Sequence, residues 1–158
     1  MIEMQGPSLA AGQPLELQHS WPLFDQRKHF DLGCMLSCAV IDRIEPVAVG
    51  ELGLHHAGCW ECDLADESLI WSGGVFDIFG LPRGVRISRS ETLALYCEES
   101  RARLEQLRSY AIRHKRGFTL DVKIRPASTR QERWMRLIGA PALENGRPVR
   151  LHGLKLIL

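Results

Sequence analysis

The sequence lacks any long hydrophobic run, and this absence excludes whole classes of protein. None of its apolar stretches approaches the ~20 residues that a membrane-spanning helix needs. The first 30 residues contain Glu3, Glu16 and Asp25 and no continuous apolar stretch behind a basic start, so they do not resemble a secretory signal peptide. We therefore expect no association with a membrane.

The sequence also lacks an excess of charge of either sign. Lys and Arg together number 20 and Asp and Glu together number 19. Balanced charge creates no field that would attract nucleic acid, so we expect no nucleic-acid partner. The cysteines number five, an odd count in a chain able to build its own core, which is typical of reduced thiols. The expected location is therefore the cytoplasm.

Length and composition indicate one folded domain with an appendage. The chain has 158 residues, of which 45% are hydrophobic and 25% charged, as in ordinary globular proteins. Residues 1–20 mix Gly, Pro, Gln and Ser without periodicity and predict a disordered start. Residues 21–57 predict a partly helical extension. Its apolar residues recur at spacings of four and three: Phe30, Cys34, Cys38 and Ile41. The main domain is predicted over residues 58–158.

Alternation of apolar and polar residues predicts five strands in the main domain. They lie at residues 58–64, 69–72, 118–125, 132–143 and 149–158. Asn145 and Gly146, between the last two strands, are the usual pair of a tight hairpin turn. Consecutive strands joined by short turns favour an antiparallel sheet.

Three helices are predicted between the second and third of these strands. Ser72 begins a short helix that Gly80 ends, and Ser88 with Glu91 forms a capping box for the next. A longer helix begins at Glu98 and closes in a basic run, which complements the helix dipole. The predicted fold class is therefore α+β, an antiparallel sheet with short helices inserted between two of its strands and a helical extension at the amino terminus.

This order of motifs resembles that of PAS domains, in particular the subfamily whose first strand reads Gly-x-Trp-x-x-Asp-Leu. The matching segments, in chain order, are Gly58-x-Trp60-x-x-Asp63-Leu64, Trp71-Ser72, Val75-Phe76-x-Ile78-Phe79-Gly80-Leu81, Tyr96-Cys97-Glu98-Glu99, Arg133-Trp134-Met135-Arg136 with Gly139, and Gly146-Arg147-Pro148-Val149 running to Leu151-x-Gly153. Each segment consists mostly of glycine and apolar residues. Their shared order over residues 58–158 carries the resemblance.

The resemblance implies a sensory, signal-transducing module with a curved PAS-like sheet. Such modules bind a small ligand or cofactor in a cup between sheet and helices, or pair with another protein through the sheet. The side chains implied to line the cup are Trp60, Cys62, Trp71, Phe76, Phe79, Leu107, Ala111, Ile124 and Trp134. The resemblance also implies a homodimer, to which Trp134 or neighbouring apolar strand residues would contribute.

The end of the sequence departs from the pattern of many PAS domains. Many relatives close the last strand with Asp-Ile-Thr, which joins the sensor to an output helix. Residues 154–158 lack this triplet, and no output domain follows them in this sequence. If the sequence is complete, we expect any signal to pass in trans to a partner protein, such as a kinase or a regulator, or to a second copy; if it is part of a longer chain, the output domain lies outside it.

Two cofactors that PAS relatives bind have one candidate contact each. His114 follows Leu107 and Ala111 on the apolar stripe of the long helix, where haem-binding relatives carry an iron ligand. Its place in the last turn, beside basic residues, is commoner for a partly exposed histidine. Cys97 lacks the Asn-Cys-Arg-Phe-Leu-Gln surroundings of the flavin-reactive cysteine. Haem and flavin are both disfavoured, and the sequence defines no other cofactor.

Cys59 and Cys62 have the Cys-x-x-Cys spacing of metal and dithiol sites, with His55 and His56 just upstream. A zinc site usually needs a second pair of ligands. Residues three apart on a strand also point to opposite faces of the sheet. The sequence therefore predicts ordinary thiols here.

No catalytic signature joins a nucleophile to a base, so the module is predicted to be non-catalytic. The alternative to a ligand sensor is a structural dimerisation module with a filled core. The volume of the cup distinguishes the two hypotheses. A continuous pocket with convergent polar groups favours sensing, whereas side chains that meet across the cup favour interaction alone.

Overall fold

The computed structural model describes residues 18–30 and 57–158. The strands are β1 (Gln18–Pro22), β2 (Ala57–Asp63), β3 (Leu69–Trp71), β4 (Arg116–Ile124), β5 (Arg133–Glu144) and β6 (Arg147–Ile157). The helices are a 3-10 turn (Leu23–Asp25), α1 (Gln26–His29), α2 (Gly73–Phe79), α3 (Arg89–Leu93) and α4 (Glu98–His114). No helix in these two ranges is long and apolar enough to cross a membrane.

All six strands form one antiparallel sheet in the order β1-β4-β5-β6-β2-β3. Helices α2 to α4 connect β3 to β4, and their apolar residues pack with those of one sheet face in a single buried cluster. We call this face the inner face and the space between it and α2 to α4 the cup. The predicted α+β fold, with helices inserted between the second and third strands of the main domain, is confirmed.

Local sequence signals position the helices at the rim of the cup. Gly80 ends α2 with φ of 66°, a left-handed conformation that glycine adopts without strain. Ser88 caps α3 as predicted, since its hydroxyl accepts the backbone N–H of Glu91 at 3.2 Å. Ser72 also stands at the start of α2, but its Oγ accepts the backbone N–H of Cys59 at 3.0 Å and so ties the helix start to β2.

Two facing glycines make room for a tryptophan on the inner face. Gly139 of β5 pairs with Gly153 of β6, and Gly153 pairs in turn with Trp60 of β2. A Cβ on Gly139 would lie 2.7 Å from the indole of Trp60. The indole N–H donates to the carbonyl oxygens of Ile138 at 3.2 Å and Leu154 at 3.3 Å. The Trp60 side chain therefore lies across β6 and β5, and it has room to do so because Gly153 and Gly139 have no side chains.

The sheet has a sixth strand where five were predicted. The additional strand, β1, pairs with the start of β4, and its residues Gln18 to Ser20 come from the end of the segment predicted to be disordered, of which residues 1–17 lie outside the described residues. Its five residues show too little periodicity to be recognised alone, because the strand forms by pairing with residues 116–120 of β4, which are distant in sequence. Among the described residues, the helical part of the predicted extension consists of the 3-10 turn and the short α1. Cys34, Cys38 and Ile41 lie outside the described residues.

The segment formed by residues 18–30 covers part of the outer face of the sheet. Trp21 and Phe30 are buried there against Ile138 and Ala140. The partly buried residues that pack against this outer cluster are Leu23, Leu154 and Leu156. As a result β6 carries apolar side chains in contact with protein on both faces.

An ion pair with one buried partner joins β4 to β5 on the outer face. The carboxylate of Asp121 is completely buried and accepts two hydrogen bonds from the Arg136 guanidinium, at 2.8 and 3.0 Å. The two residues are direct partners in the antiparallel ladder. The hydrogen bonds that Arg136 donates to Asp121 raise the pKa of the Arg136 guanidinium.

Candidate ligand-binding site

The centre of the cup contains a buried lysine. Lys155 lies on β6 with Leu151, Gly153 and Ile157 on the inner face, and it is 5% exposed. Its Nζ donates a hydrogen bond to the hydroxyl oxygen of Tyr96 at 3.1 Å. Among the described residues no carboxylate pairs with it. A lone buried ammonium is costly, so its presence is a functional indication as well as a structural one.

Aromatic rings surround the ammonium of Lys155. Four ring centroids lie within 6 Å of Nζ, those of Trp60 at 5.5 Å, Trp71 at 5.1 Å, Phe79 at 5.0 Å and Tyr96 at 5.8 Å. The negative faces of such rings attract a cation and replace part of its lost hydration. We call these four rings the aromatic box. Their packing against one another holds them in place, since Trp71 stacks on Phe79 with ring centroids 5.0 Å apart.

Burial changes the pKa values of the two polar groups at the centre of the cup, Lys155 and Tyr96. Burial lowers the pKa of Lys155 from 10.5 to about 7, while the nearby Cys62 thiol acts in the opposite direction. Burial likewise raises the pKa of Tyr96 far above its ordinary value, with Arg89 acting against that shift. Near neutral pH the lysine therefore exchanges between the amine and the ammonium, and the tyrosine keeps its proton.

A second buried donor lies beside Lys155. The indole Nε1 of Trp71 is buried and has no hydrogen-bond partner among the described residues. Most buried N–H groups are paired, so such an exception calls for an explanation. A ligand or an ordered water that accepts a hydrogen bond would provide one.

Two arginines lie at the mouth of the cup. Arg89 of α3 and Arg108 of α4 both line the space around Lys155, and their exposed partner Glu67 lies 3.8 Å from each. Arg89 also pairs with Glu105 of α4. The guanidinium of Arg108 lies 4.0 Å from the Cys62 sulfur. Burial raises the pKa of this thiol and Arg108 lowers it.

These groups line a cavity of about 50 Å³. The residues around it are Trp60, Cys62, Leu69, Trp71, Arg89, Thr92, Leu93, Tyr96, Leu104, Arg108, Phe118, Leu137, Leu151 and Lys155. Sites for drug-sized ligands and cofactors occupy about 300–1,000 Å³. The cavity is therefore smaller than this range, and its size suits a molecule of a few atoms.

The predicted cup residues fall into three groups. Trp60, Cys62 and Trp71 line the cavity. Five others belong to the surrounding buried core, namely Phe76, Phe79, Leu107, Ala111 and Ile124. Trp134 lies on the outer face, opposite Lys123 of β4, with the Lys123 ammonium 5.4 Å from its ring. Its position alternates with the inward-facing Met135, so its assignment to the cup is wrong.

The candidate cofactor contacts lie away from the cavity. His114 is exposed in the last turn of α4 and packs on Tyr110, with ring centroids 4.4 Å apart. It does not point into the cup, so it does not fit the position of a haem ligand. Cys97 precedes α4 and its sulfur lies 3.8 Å from a Glu132 carboxylate oxygen.

Cys59 and Cys62 lie on opposite faces of β2. Cys62 belongs to the inner core cluster, and Cys59 is buried three positions earlier. Within residues 18–30 and 57–158, no three His, Cys, Asp or Glu residues are grouped so that they could hold a metal ion.

Sequence reasoning missed Lys155, Tyr96, Arg89 and Arg108 as site residues. Tyr96 was identified only as part of a motif, and the two arginines have no distinguishing pattern. The last strand was ambiguous, because Leu154 and Leu156 predict one buried face and Leu151 and Ile157 the other. A lysine inside an apolar strand was the available signal, and it gains meaning only when both faces of β6 are known to be covered.

Comparison with solved structures identifies the fold. No protein-family model and no curated protein matches the sequence. The structure is similar to that of a sensory box histidine kinase/response regulator from Burkholderia thailandensis E264, with 20% identity, a TM-score of 0.57, and coverage of 73% of this chain and 84% of that one. It is also similar to the amino-terminal domain of a diguanylate cyclase with a PAS/PAC sensor from Marinobacter aquaeolei, with 13% identity, a TM-score of 0.58, and coverage of 64% and 94%.

A third similar structure is an RNA-binding light-oxygen-voltage receptor, with 16% identity and a TM-score of 0.57. The match covers 65% of this chain and 29% of the receptor, so the chain corresponds to less than a third of that protein. The fold defined by the sheet, the inserted helices and the cup is thus the PAS fold, as the sequence motifs predicted.

Proposed function

We propose that this chain is a sensory signal-transduction module without catalytic activity of its own. Its cup holds a small ligand, and its sheet transmits the presence of that ligand to a partner protein. The observation that carries the proposal is the cavity beside Lys155, where an ammonium and an indole N–H that has no partner among the described residues converge among apolar side chains. A small apolar pocket with a few convergent polar groups is typical of a binding site.

The position of Lys155 on β6 supports a route for the signal. Its sequence neighbours Leu154 and Leu156 point the other way and pack against the outer cluster that holds residues 18–30. A ligand that moves Lys155 therefore acts on a strand that also packs against residues 18–30, which we call the outer cover. Occupancy shifts the module between two arrangements only as far as the ligand binds them with different affinity.

The output of this module acts in trans in our proposal. A cytoplasmic kinase or regulator, or a second copy of the chain, receives the change at the sheet. Two of the similar structures are named as a histidine kinase/response regulator and a diguanylate cyclase with a PAS/PAC sensor, which supports a signalling context.

A cavity-filling substitution tests the sensory proposal without knowledge of the ligand. Cys62→Leu adds volume at a residue that lines the cavity, whereas Val122→Ile adds volume elsewhere in the same core. Hydrogen–deuterium exchange should change at Gln18–Pro22 in the first variant and stay constant in the second. Unchanged exchange at these residues in a folded Cys62→Leu protein would show that a change in the cup is not transmitted to the outer cover.

A ligand-free dimerisation module is the second candidate. It is favoured by the tight packing of the rest of the cup and by Trp134, which is half-buried at the end of β5 away from Ile138 and Ala140. Native mass spectrometry of the wild type and of Trp134→Ser tests it. A dimer that Trp134→Ser converts to monomer supports this outer-face contact, whereas a wild-type monomer at high concentration argues against homodimerisation.

A further inference from the structure

The described residues that line the cavity include three cationic side chains and no acidic one. The cationic side chains are those of Arg89, Arg108 and Lys155. The acidic partners of the arginines, Glu67 and Glu105, are half exposed and lie outside the lining. An ion that enters this space meets positive charge from three residues.

The polar groups at the centre offer donors in excess of acceptors. An ammonium carries three N–H groups, and Lys155 directs one of them to Tyr96. The Tyr96 hydroxyl, having accepted that bond, retains its own proton to donate. The Trp71 N–H is also unpaired among the described residues. Only a hydrogen-bond acceptor satisfies all of these groups.

The size of the cavity limits what this acceptor is. One water needs about 10–15 Å³ of such space, so a cavity of about 50 Å³ accommodates roughly three or four non-hydrogen atoms. Phe118, Leu137 and Leu151 make the remaining wall apolar, which suits a hydrogen or a methyl group. Formate and acetate have this size and this combination of a charged and an apolar end.

We propose that the cavity binds a short carboxylate of formate or acetate size, held by the Lys155 ammonium and the Trp71 indole N–H. Arg89 and Arg108 attract it at the mouth, and the aromatic box fixes the lysine. The proposal rests on the sensory function above and names the ligand class of that site.

Binding of a carboxylate is linked to a proton on Lys155. The anion stabilises the ammonium and so raises the pKa of Lys155 in the complex above its value of about 7 in the free protein. Above pH 7 binding therefore takes up a proton, and the affinity falls as pH rises, by at most about tenfold per pH unit. The other charged or titratable groups around the cavity are Tyr96, Cys62, Arg89 and Arg108.

The test is a titration of the full chain with sodium acetate and sodium formate at constant ionic strength, followed through the tryptophan indole N–H resonances. The Trp71 signal, assigned by its loss in Trp71→Phe, should shift saturably with either carboxylate. Methylammonium chloride, a cation of similar size, should have no effect. Absence of a saturable shift with both carboxylates, or an equal saturable response to sodium chloride, would overturn the proposal.

Matched lysine variants locate the site. Lys155→Met keeps the length of the side chain and removes the charge, and should weaken carboxylate binding by at least tenfold. Lys123→Met removes a lysine from the outer face and should leave binding unchanged. Equal affinity in wild type and Lys155→Met would place any carboxylate site elsewhere and refute the assignment. Circular dichroism confirms that both variants are folded.

The two proposals fail in different ways. If acetate and formate do not bind but Cys62→Leu still alters exchange at Gln18–Pro22, the ligand class is wrong and the sensory function stands. If carboxylate binds without any change in exchange there, the site is real and the transmission route is wrong.

Discussion

The indole N–H of Trp21 donates a hydrogen bond to the Thr119 hydroxyl at 3.1 Å and ties β1 to the outer face of the sheet. Trp21 is 1% exposed and stacks on His29 with ring centroids 4.1 Å apart. Gly117 leaves the space that the indole occupies, since a Cβ there would approach it to 2.1 Å. Residues 18–30 are therefore an integral part of the described structure.

Trp21→Ala should release this segment. Loss of a buried tryptophan costs about 3–5 kcal/mol, here mostly as weakened attachment of β1. Amide exchange should accelerate at Gln18–Pro22 and at the paired start of β4. Trp134→Ala, which truncates a half-buried tryptophan on the same face, should leave those amides protected. Equal protection of β1 in Trp21→Ala and wild type would show that the indole does not hold the strand.

Lys155→Met should stabilise the protein near neutral pH. It removes a buried charge that has no carboxylate partner among the described residues, and replacement of such groups by apolar ones gains about 1–4 kcal/mol. Denaturant unfolding at about pH 6 measures the difference. A variant less stable than the wild type would indicate that Lys155 makes a net favourable contribution to folding.

The stability gap between Lys155→Met and the wild type should narrow as pH rises. Lys155 loses its proton above about pH 7 in the folded protein but near 10.5 in the unfolded chain. The unfolded wild type thus binds more protons in that interval, and its free energy of unfolding rises with pH by at most about 1.4 kcal/mol per unit. Below pH 7 the folded wild type keeps the buried ammonium, so the full destabilisation by Lys155 remains. A gap that stays constant from about pH 6 to about pH 9 would show that the folded lysine keeps its proton.

Phe79→Ala should open a void in the wall of the aromatic box. Phe79 is completely buried between Trp71 and Tyr96, with ring centroids at 5.0 and 5.7 Å, so its loss should cost about 3–5 kcal/mol. Phe24→Ala is a matched control, because Phe24 is 87% exposed and its loss should change stability by less than about 0.5 kcal/mol. Thermal unfolding compares the two variants. Equal melting temperatures for Phe79→Ala and wild type would show that the ring is not core.

Gly139→Ala should force Trp60 out of position. The new Cβ would lie 2.7 Å from both Trp60 and Phe118, and overpacking of this kind costs about 1–3 kcal/mol. Phe118→Leu removes the atoms that Cβ meets on one side, so the double variant should lose less stability than the two single variants together. Strict additivity in denaturant unfolding would show that Gly139 is not limited by this contact.

The fold was predictable where local signals and the final structure agree. Gly80 ends a helix by its own conformational freedom, and Asn145 with Gly146 forms the predicted turn with φ of 51° and 76°. Such signals act within a few residues, so a single sequence reveals them. Together with the order of PAS-like motifs they placed the five strands and three helices of residues 58–158.

The outer cover and the centre of the site depend on contacts that are distant in sequence. β1 is recognisable only beside β4, and the position of Lys155 is clear only after β1 and Phe30 cover the other face of β6. Trp134 shows the same limit, because the sequence assigned it to the wrong face of the sheet. Alternation placed it on one face of β5 but could not decide which face is the inner one.

The direct pairing of Asp121 with Arg136 has a consequence for how the chain finds its alignment. A shift of β4 by one position would turn the carboxylate toward the apolar interior and leave the guanidinium facing an uncharged neighbour. In the folded sheet a misaligned pairing of β4 and β5 is thereby penalised, because it would bury an unpaired carboxylate. The ion pair thus helps to set the register of β4 against β5.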